Sequence, residues 1–565
     1  MQILRFLRFP VLAALATPSL PLGQSVIYTQ AGGGKGDQFG VSVDAVGDWN
    51  GDGFQDLVVG ASQSLHFPGQ PATGPGYAQV ISGATGTVLD TFSGLEDDDW
   101  FGSAVAGVGD VNADGVPDVA VGAVDPGFPG VPPVVPSSFP GPGYVRVLSG
   151  ADGAVLYTLL GDADFDYYGQ DVAGVGDVDG DGFPDLAASA LGLGALSIQG
   201  WVRVHRGPDG GELFTLNGTG SGNVLGHGVD GAGDWDGDGL ADLVVLVTGS
   251  PTVQARVHGG PNGGLLASLG ETGSAGYTDI AGCGDVNGDG TPDLIAGSRL
   301  DFAGAAQGGS ARVISGADGG TLFQWLGDDE LDNFGNAVEG AGDADGDGIP
   351  DLIVGAWFDD APGVEDAGCV HVFSGLDGSA LGRLCADAPN TLLGAAVAGL
   401  GDLNADGRSD LVAGGYAAAL AGLDSGHALV FTTRAMPLVA DVHELSLAAR
   451  GTQNYQLQPG DAFAGDVHLV LGTASGIVPG LPIDGTVLPL NTDDYFVQTL
   501  ANPAGPPLAG ALGVLSGQGT GSAALVVPPG LPAGLAGTTL HHAYVVLGAL
   551  SIELASNAVP VTLVP

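Results

Sequence analysis

The chain has 565 residues, of which 64 are Asp or Glu and 13 are Lys or Arg, giving a formal net charge of −51 at pH 7. So negative a surface argues against nucleic acid or an anionic membrane as partner. Its 104 Gly and 35 Pro break the later apolar stretches, so no transmembrane helix is expected.

In chain order, residues 1–24 read as a secretory signal peptide. Arg5 and Arg8 precede a short apolar run at 11–16, and small residues follow. Val26-Ile27-Tyr28-Thr29-Gln30 reads as a strand. Next come Phe39-Gly40, a strand ending in Gly47-Asp48, and an acidic loop, Asp48-Trp49-Asn50-Gly51-Asp52-Gly53-Phe54-Gln55-Asp56. The β-rich run Asp56-Leu57-Val58-Val59-Gly60 follows it. The loop pattern Asp-x-(Asp/Asn)-x-Asp-Gly-x-x-Asp then recurs from Asp110, Asp177, Asp234, Asp285, Asp343 and Asp402, at spacings of 51 to 67 residues.

Positions 1, 3, 5 and 9 of this loop offer side-chain oxygens, and position 7 offers a backbone carbonyl. Hard oxygen ligands in a short loop suit calcium. The first candidate set is Asp48, Asn50, Asp52, Phe54 and Asp56, and the second is Asp110, Asn112, Asp114, Val116 and Asp118. The third is Asp177, Asp179, Asp181, Phe183 and Asp185; the fourth is Asp234, Asp236, Asp238, Leu240 and Asp242. The fifth is Asp285, Asn287, Asp289, Thr291 and Asp293; the sixth is Asp343, Asp345, Asp347, Ile349 and Asp351. The seventh is Asp402, Asn404, Asp406, Arg408 and Asp410. Up to seven calcium ions are therefore expected. Position 6 is always Gly, where the chain must turn sharply to aim the odd-numbered ligands inward. An EF-hand shares the first six positions but closes on Glu at position 12 between helices. Here position 12 is apolar, as at Val59 and Val121, and a strand follows.

A Phe-Gly-like pair begins nine residues before most loops: Phe39-Gly40, Phe101-Gly102, Tyr168-Gly169, Leu225-Gly226, Phe334-Gly335 and Leu393-Gly394. Each unit ends in a hairpin, such as Tyr144-Val145-Arg146-Val147-Leu148 turning through Asp152-Gly153. Four short antiparallel strands per unit, seven times over, predict an all-β, seven-bladed β-propeller that folds as one domain over 25–433. The seventh unit has His427-Ala428-Leu429-Val430-Phe431 and then departs from the pattern. The N-terminal strand is expected to complete that blade and remove an open edge.

The Phe-Gly strand, the Gly-Asp-x-Asn-Gly-Asp-Gly-x-x-Asp loop and the Leu-x-Val-Gly-Ala box resemble FG-GAP repeats, as in the propeller of integrin α chains. The resemblance spans about residues 26–433. It implies a calcium-binding propeller whose loop ligands carry over copy by copy. Copy five departs, with Gly276-Tyr277 where Phe-Gly belongs, and copy four lacks the Gly-Ala box after Asp242-Leu243-Val244-Val245-Leu246. Both blades are expected to be irregular.

In this strand order the acidic loops and the Asp-Gly turns share one face. The variable connections share the other, where binding residues usually lie. The candidates there are His66, Phe67, Trp100, Tyr167, Trp357, Phe358 and Tyr416, as a surface for an extracellular protein or glycan. Arg146, Arg203, Arg256 and Arg312 recur at one position of the third strand, each expected to meet a carboxylate. Cys369 and Cys385 flank a predicted hairpin and fall opposite each other, so a cross-strand disulfide is expected; Cys283 reads as a small core residue. Residues 434–565 lack the loop and read as a small β-sandwich-like domain of unassigned role. No catalytic motif stands out. The leading expectation is a secreted or cell-surface, non-catalytic adhesion or ligand-binding protein with structural calcium. The alternative is an extracellular propeller enzyme, a polysaccharide lyase or phospholipase-like hydrolase, whose sign would be His66, Arg299, Tyr167 and Tyr416 meeting in one cleft.

Overall fold

The computed structural model describes residues 25–433 except 64–73, 98, 125–140, 165, 193–198, 219–223, 249–253, 271–276, 302–306, 362, 405–406 and 419–424; beyond 433 it describes mainly the strands. Blade one is built from Phe39–Gly47, Asp56–Ala61, Tyr77–Ile81 and Val88–Ser93, antiparallel and paired in chain order. Blades two to six repeat this plan over 101–160, 172–217, 224–270, 279–326 and 334–385. Blade seven takes Ala396–Gly401, Asp410–Gly415 and His427–Thr432 from the end of the repeat array, and Ser25–Ala31 from the beginning. Gln30 lies opposite Ala428 in that closing pair. The ring is a seven-bladed β-propeller closed by its N-terminal strand.

The sequence of each strand follows from its depth in the blade. Second strands such as Asp351–Ala356 are buried at every position, so they read as continuous apolar runs rather than alternating ones. Fourth strands are half exposed, as in Val88–Ser93. The Gly of the Gly-Ala box allows neighbouring blades to touch: a Cβ on Gly60 would lie 2.0 Å from the carbonyl oxygen of Gly102.

The first residue of each Phe-Gly-like pair is wedged between blades. Phe101 packs with Val58, Ala78 and Val80 of blade one. The irregular copies keep this wedge. In blade five Tyr277, one residue closer to its loop, is 2% exposed and packs with Val244, Ala255 and Val257 of blade four. In blade four the second strand runs on through Asp242–Thr248, and its extra apolar residues are buried in place of the Gly-Ala box. A bulky wedge and a continuous apolar strand satisfy the same packing, so the motif can lapse while the blade persists.

Beyond residue 433 the described strands form two larger sheets and one short hairpin. One sheet centres on Gly451–Leu457 and Gly521–Val527, the other on Val467–Thr473 and Thr539–Leu547. The Tyr455 hydroxyl meets His542 Nδ1 at 2.8 Å and links the two sheets. Leu471 joins the core cluster that holds Tyr28, Leu400 and Leu403, which seats this region against the propeller.

Candidate metal loops and the opposite face

All seven acidic loops share one hydrogen-bond scheme. The position-6 Gly has φ between 84° and 92°, and its N–H donates to the position-1 carboxylate at 2.8–3.0 Å. The position-9 carboxylate accepts the N–H of position 2 at 2.7–3.0 Å. In blades one to six its other oxygen accepts from a Gly in the turn of the third and fourth strands: Gly83, Gly150, Gly207, Gly260, Gly316 and Gly375, at 2.9–3.0 Å. Position 9 is fully buried in every copy. It therefore stitches the loop to its own hairpin, a role the spacing alone did not reveal. Burial pushes the Asp56 carboxyl up to about 7 and those of Asp118, Asp185 and Asp351 up to about 6.

In three of the loops the carboxylates converge. Asp177, Asp179 and Asp185, and likewise Asp234, Asp236 and Asp242, each bring carboxylate oxygens within 4.8 Å of one another; Asp343, Asp345 and Asp347 do the same in loop six. Asp234 Oδ1 and Asn404 Oδ1 are buried acceptors with no donor. Orphaned acceptors in an oxygen cage are what a hard cation satisfies, so these residues fit calcium. Two loops carry their own cation. Arg206 places Nε 3.2 Å from Asp179 and 3.5 Å from Asp181 in loop three. Arg408, at position 7 of loop seven, leans on loop six, where a Cβ at Gly346 would sit 3.6 Å from its Cγ. Asp406 lies outside the described residues.

On the opposite face, His66 and Phe67 lie outside the described residues. Trp100 and Tyr167 sit in the connections before blades two and three, each with a positive φ of 55° and 56°. Trp357, Phe358 and Tyr416 come together at blades six and seven: the Trp357 ring is 5.6 Å from Phe358 and 6.5 Å from Tyr416. Arg299 of blade five lies 5.4 Å over Trp357. Two members of the expected enzymatic cleft, Arg299 and Tyr416, thus share a neighbour, while Tyr167 stands two blades away from Arg299.

The row of arginines behaves differently from expectation. Arg203 does meet carboxylates, Asp162 at 2.9 Å and Glu212 at 3.3 Å. Arg146 instead lies over Phe101 and Tyr144, and Arg256 bonds Gln254; Arg312 lies over Tyr277. In blades two and five the wedge aromatic presents its face to this position, and a guanidinium stacks there readily. Cys369 and Cys385 are paired residues in adjacent strands and are joined by a disulfide. Cys283 is a buried free thiol.

An axial channel of about 480 Å³ runs through the ring, lined by the first strands of all seven blades. Five carboxylates face it: Asp44, Asp171, Asp230, Asp279 and Glu339. Asp44 accepts from Gly107 N, Asp171 from Val229 N, Asp230 from Gly282 N and Asp279 from Val338 N, each at 2.8–2.9 Å. Each bond ties one blade to the next. Burial pushes Asp44 and Asp171 up to about 7, and Asp230 and Asp279 up to about 6. An acidic residue four or six places before a loop, inside a strand of Gly and Ala, was the available signal.

A seven-bladed ring with an acidic loop in every blade defines a class, and residues 39–81 match the FG-GAP repeat family. The chain carries an FG-GAP repeat. It is 30% identical over 222 residues to integrin alpha-5 of Xenopus laevis, covering 34% of this chain and 20% of that one. Its identity to integrin alpha-6 of Gallus gallus is 32% over 175 residues, 28% of this chain and 14% of that one. The chain thus spans about a fifth or less of the length of these relatives. A solved structure of BBS1N in complex with ARL6DN overlays with a TM-score of 0.45 at 10% identity, covering 73% of this chain and 97% of that one.

Proposed function

We propose that the chain is a secreted or surface-displayed propeller that binds an extracellular protein or glycan through the face opposite its acidic loops, with calcium structural and no reaction catalysed. The observation that carries this reading is the division of labour between the two faces. On one, the loops of blades one to six are stitched to their own hairpins by a buried carboxylate, and three loops bring carboxylate oxygens within 4.8 Å of one another. Such loops are fasteners. On the other, a guanidinium and three aromatic rings from three blades meet. Integrin α chains, the relatives matched over part of their length, support a ligand-binding role.

In this reading the calcium ligands are positions 1, 3, 5, 7 and 9 of each loop, residues 1–24 direct export, and 434–565 form an accessory domain. The basic residues a lyase would gather are scarce: 13 Lys and Arg in the whole chain, of which Arg203, Arg206 and Arg383 are held by carboxylates. A screen of immobilised glycans and extracellular proteins against the full chain in calcium tests the proposal. Binding competed by alteration of Trp357 and Tyr416 supports it; turnover of an acidic polysaccharide or a phospholipid overturns it.

A further inference from the structure

Arg299 lies beside the aromatic cluster of the variable face. It follows the second strand of blade five, Asp293–Ser298, at the edge of the variable face. Its backbone N–H donates to Thr278 Oγ1 at 3.2 Å, its Nη1 donates to Asn336 Oδ1 at 3.3 Å, and its guanidinium lies over Trp357. Asn336 is fixed in turn by donating to the carbonyl of Ala395 in blade seven, at 3.3 Å. Among the described residues no carboxylate reaches Arg299, although the chain holds 64 acidic side chains. The guanidinium is therefore rigidly aimed and keeps most of its five donors uncommitted. A second donor lies beside it: Trp357 Nε1 is buried without a partner.

We infer that this cluster of a guanidinium and three aromatic rings binds a carboxylate carried on a sugar ring, a uronic acid unit within an otherwise neutral oligosaccharide. The inference rests on the ligand-binding reading of this face and names its ligand class. A planar fork of N–H groups matches the two oxygens of a carboxylate. Thr278 and Asn336 are committed to holding Arg299 in place, and the neutral polar groups left for hydroxyls are Gln170 and Ser103, across the channel in blades three and two. The Ser103 hydroxyl is buried and without a partner. Phe358 and Tyr416 flank Trp357 and offer apolar rings to the C–H face of a pyranose. A peptide docking by strand addition needs a free strand edge, whereas this face presents strand ends. A densely charged polyanion would be repelled by a chain of net charge −51, so the carboxylates must be sparse.

The test uses the full chain in calcium-containing buffer, with titration calorimetry and Trp fluorescence. The probes are a trisaccharide with one central glucuronic acid, the same trisaccharide with that carboxylate reduced to the alcohol, and a short acetylated peptide with a free terminal carboxylate. Saturable binding of the acidic trisaccharide is expected, with affinity at least about tenfold lower for the reduced form, since a site built for a charged acceptor rejects the analogue lacking it. Arg299→Gln should abolish that preference and Arg299→Lys should restore part of it, with unchanged melting temperatures showing both variants folded. Equal binding of both trisaccharides, binding of the peptide alone, no binding, or an unaltered preference in Arg299→Gln would each overturn the inference. If the wild type captures another extracellular ligand that Arg299→Gln leaves untouched, the ligand-binding reading stands and this site assignment fails.

Discussion

Asp44→Asn isolates the electrostatics of the axial channel. The Asp44 carboxyl is carried from an ordinary 3.8 up to about 7, first by burial and further by Asp230, against the opposing hydrogen bonds from Gly107 and Ala45. A difference of that size corresponds to ~4 kcal/mol. The Asp44 side chain is only partly buried at the channel wall, so ~2 kcal/mol is the working figure. Because the folded carboxyl keeps its proton to higher pH than the unfolded one, its contribution to stability is intact below about pH 4 and is lost as pH rises to about 7. Asn cannot ionise and keeps one acceptor for Gly107 N at 2.9 Å. It places an amide near Ala45 N, which donates to the other oxygen at 2.8 Å, at a cost of ~1 kcal/mol. The variant should therefore be less stable than wild type by ~1 kcal/mol at pH 4 and more stable by ~1 kcal/mol at pH 8. Differential scanning calorimetry of both proteins at the two pH values, in the same calcium buffer, reads the crossover. A stability difference independent of pH, or one of reversed sign, would refute the argument that the channel carboxylates are held away from solvent.

Loop five separates the two jobs of its carboxylates. Asp293→Ala leaves Val286 N and Gly316 N without their acceptor and should cost ~2–4 kcal/mol even in EDTA, and more in calcium; Asp289→Asn should lower the melting temperature only in calcium, and equal behaviour of the two in EDTA would count against the stitching role. Cys385→Ser opens a closed segment of sequence separation 16 and should cost ~3 kcal/mol, seen as a lower melting temperature that reductant no longer changes. Arg206→Gln removes the guanidinium from loop three and should widen the gap between melting in EDTA and in calcium; a narrower gap would show that Arg206 does not substitute for a cation.

Features repeated at fixed spacing were legible in the sequence. Gly at position 6 and Asp at position 9 recur because one backbone turn and one buried staple are needed in every blade, so their count yielded the number of blades. The third strand at His427 and the spare strand at Val26 then implied the closure that the pairing of Gln30 with Ala428 displays. Cys369 and Cys385 could be paired because hairpin register is set by the turn. Residues that depend on ring geometry were not legible. Asp44, Asp230 and Glu339 sit four residues before their loops, but Asp171 and Asp279 sit six before theirs, so no single register marks the channel. Arg146 and Arg312 lie over aromatic rings because the wedge residue turns its face toward them, which strand pattern does not encode. The meeting of Arg299 with Trp357 joins separate blades and needed the closed ring.

The central claim is that the seven loops fasten the propeller through calcium. A ligand bound only by the folded state at about a hundredfold its dissociation constant adds ~2.7 kcal/mol per site. Thermal unfolding of the full chain in excess EDTA, then with calcium or magnesium restored, measures this directly. The account predicts a large fall in melting temperature on chelation, reversed by calcium and poorly by magnesium, whose rigid octahedral demand these flexible loops do not meet. An unchanged melting temperature in EDTA would contradict it.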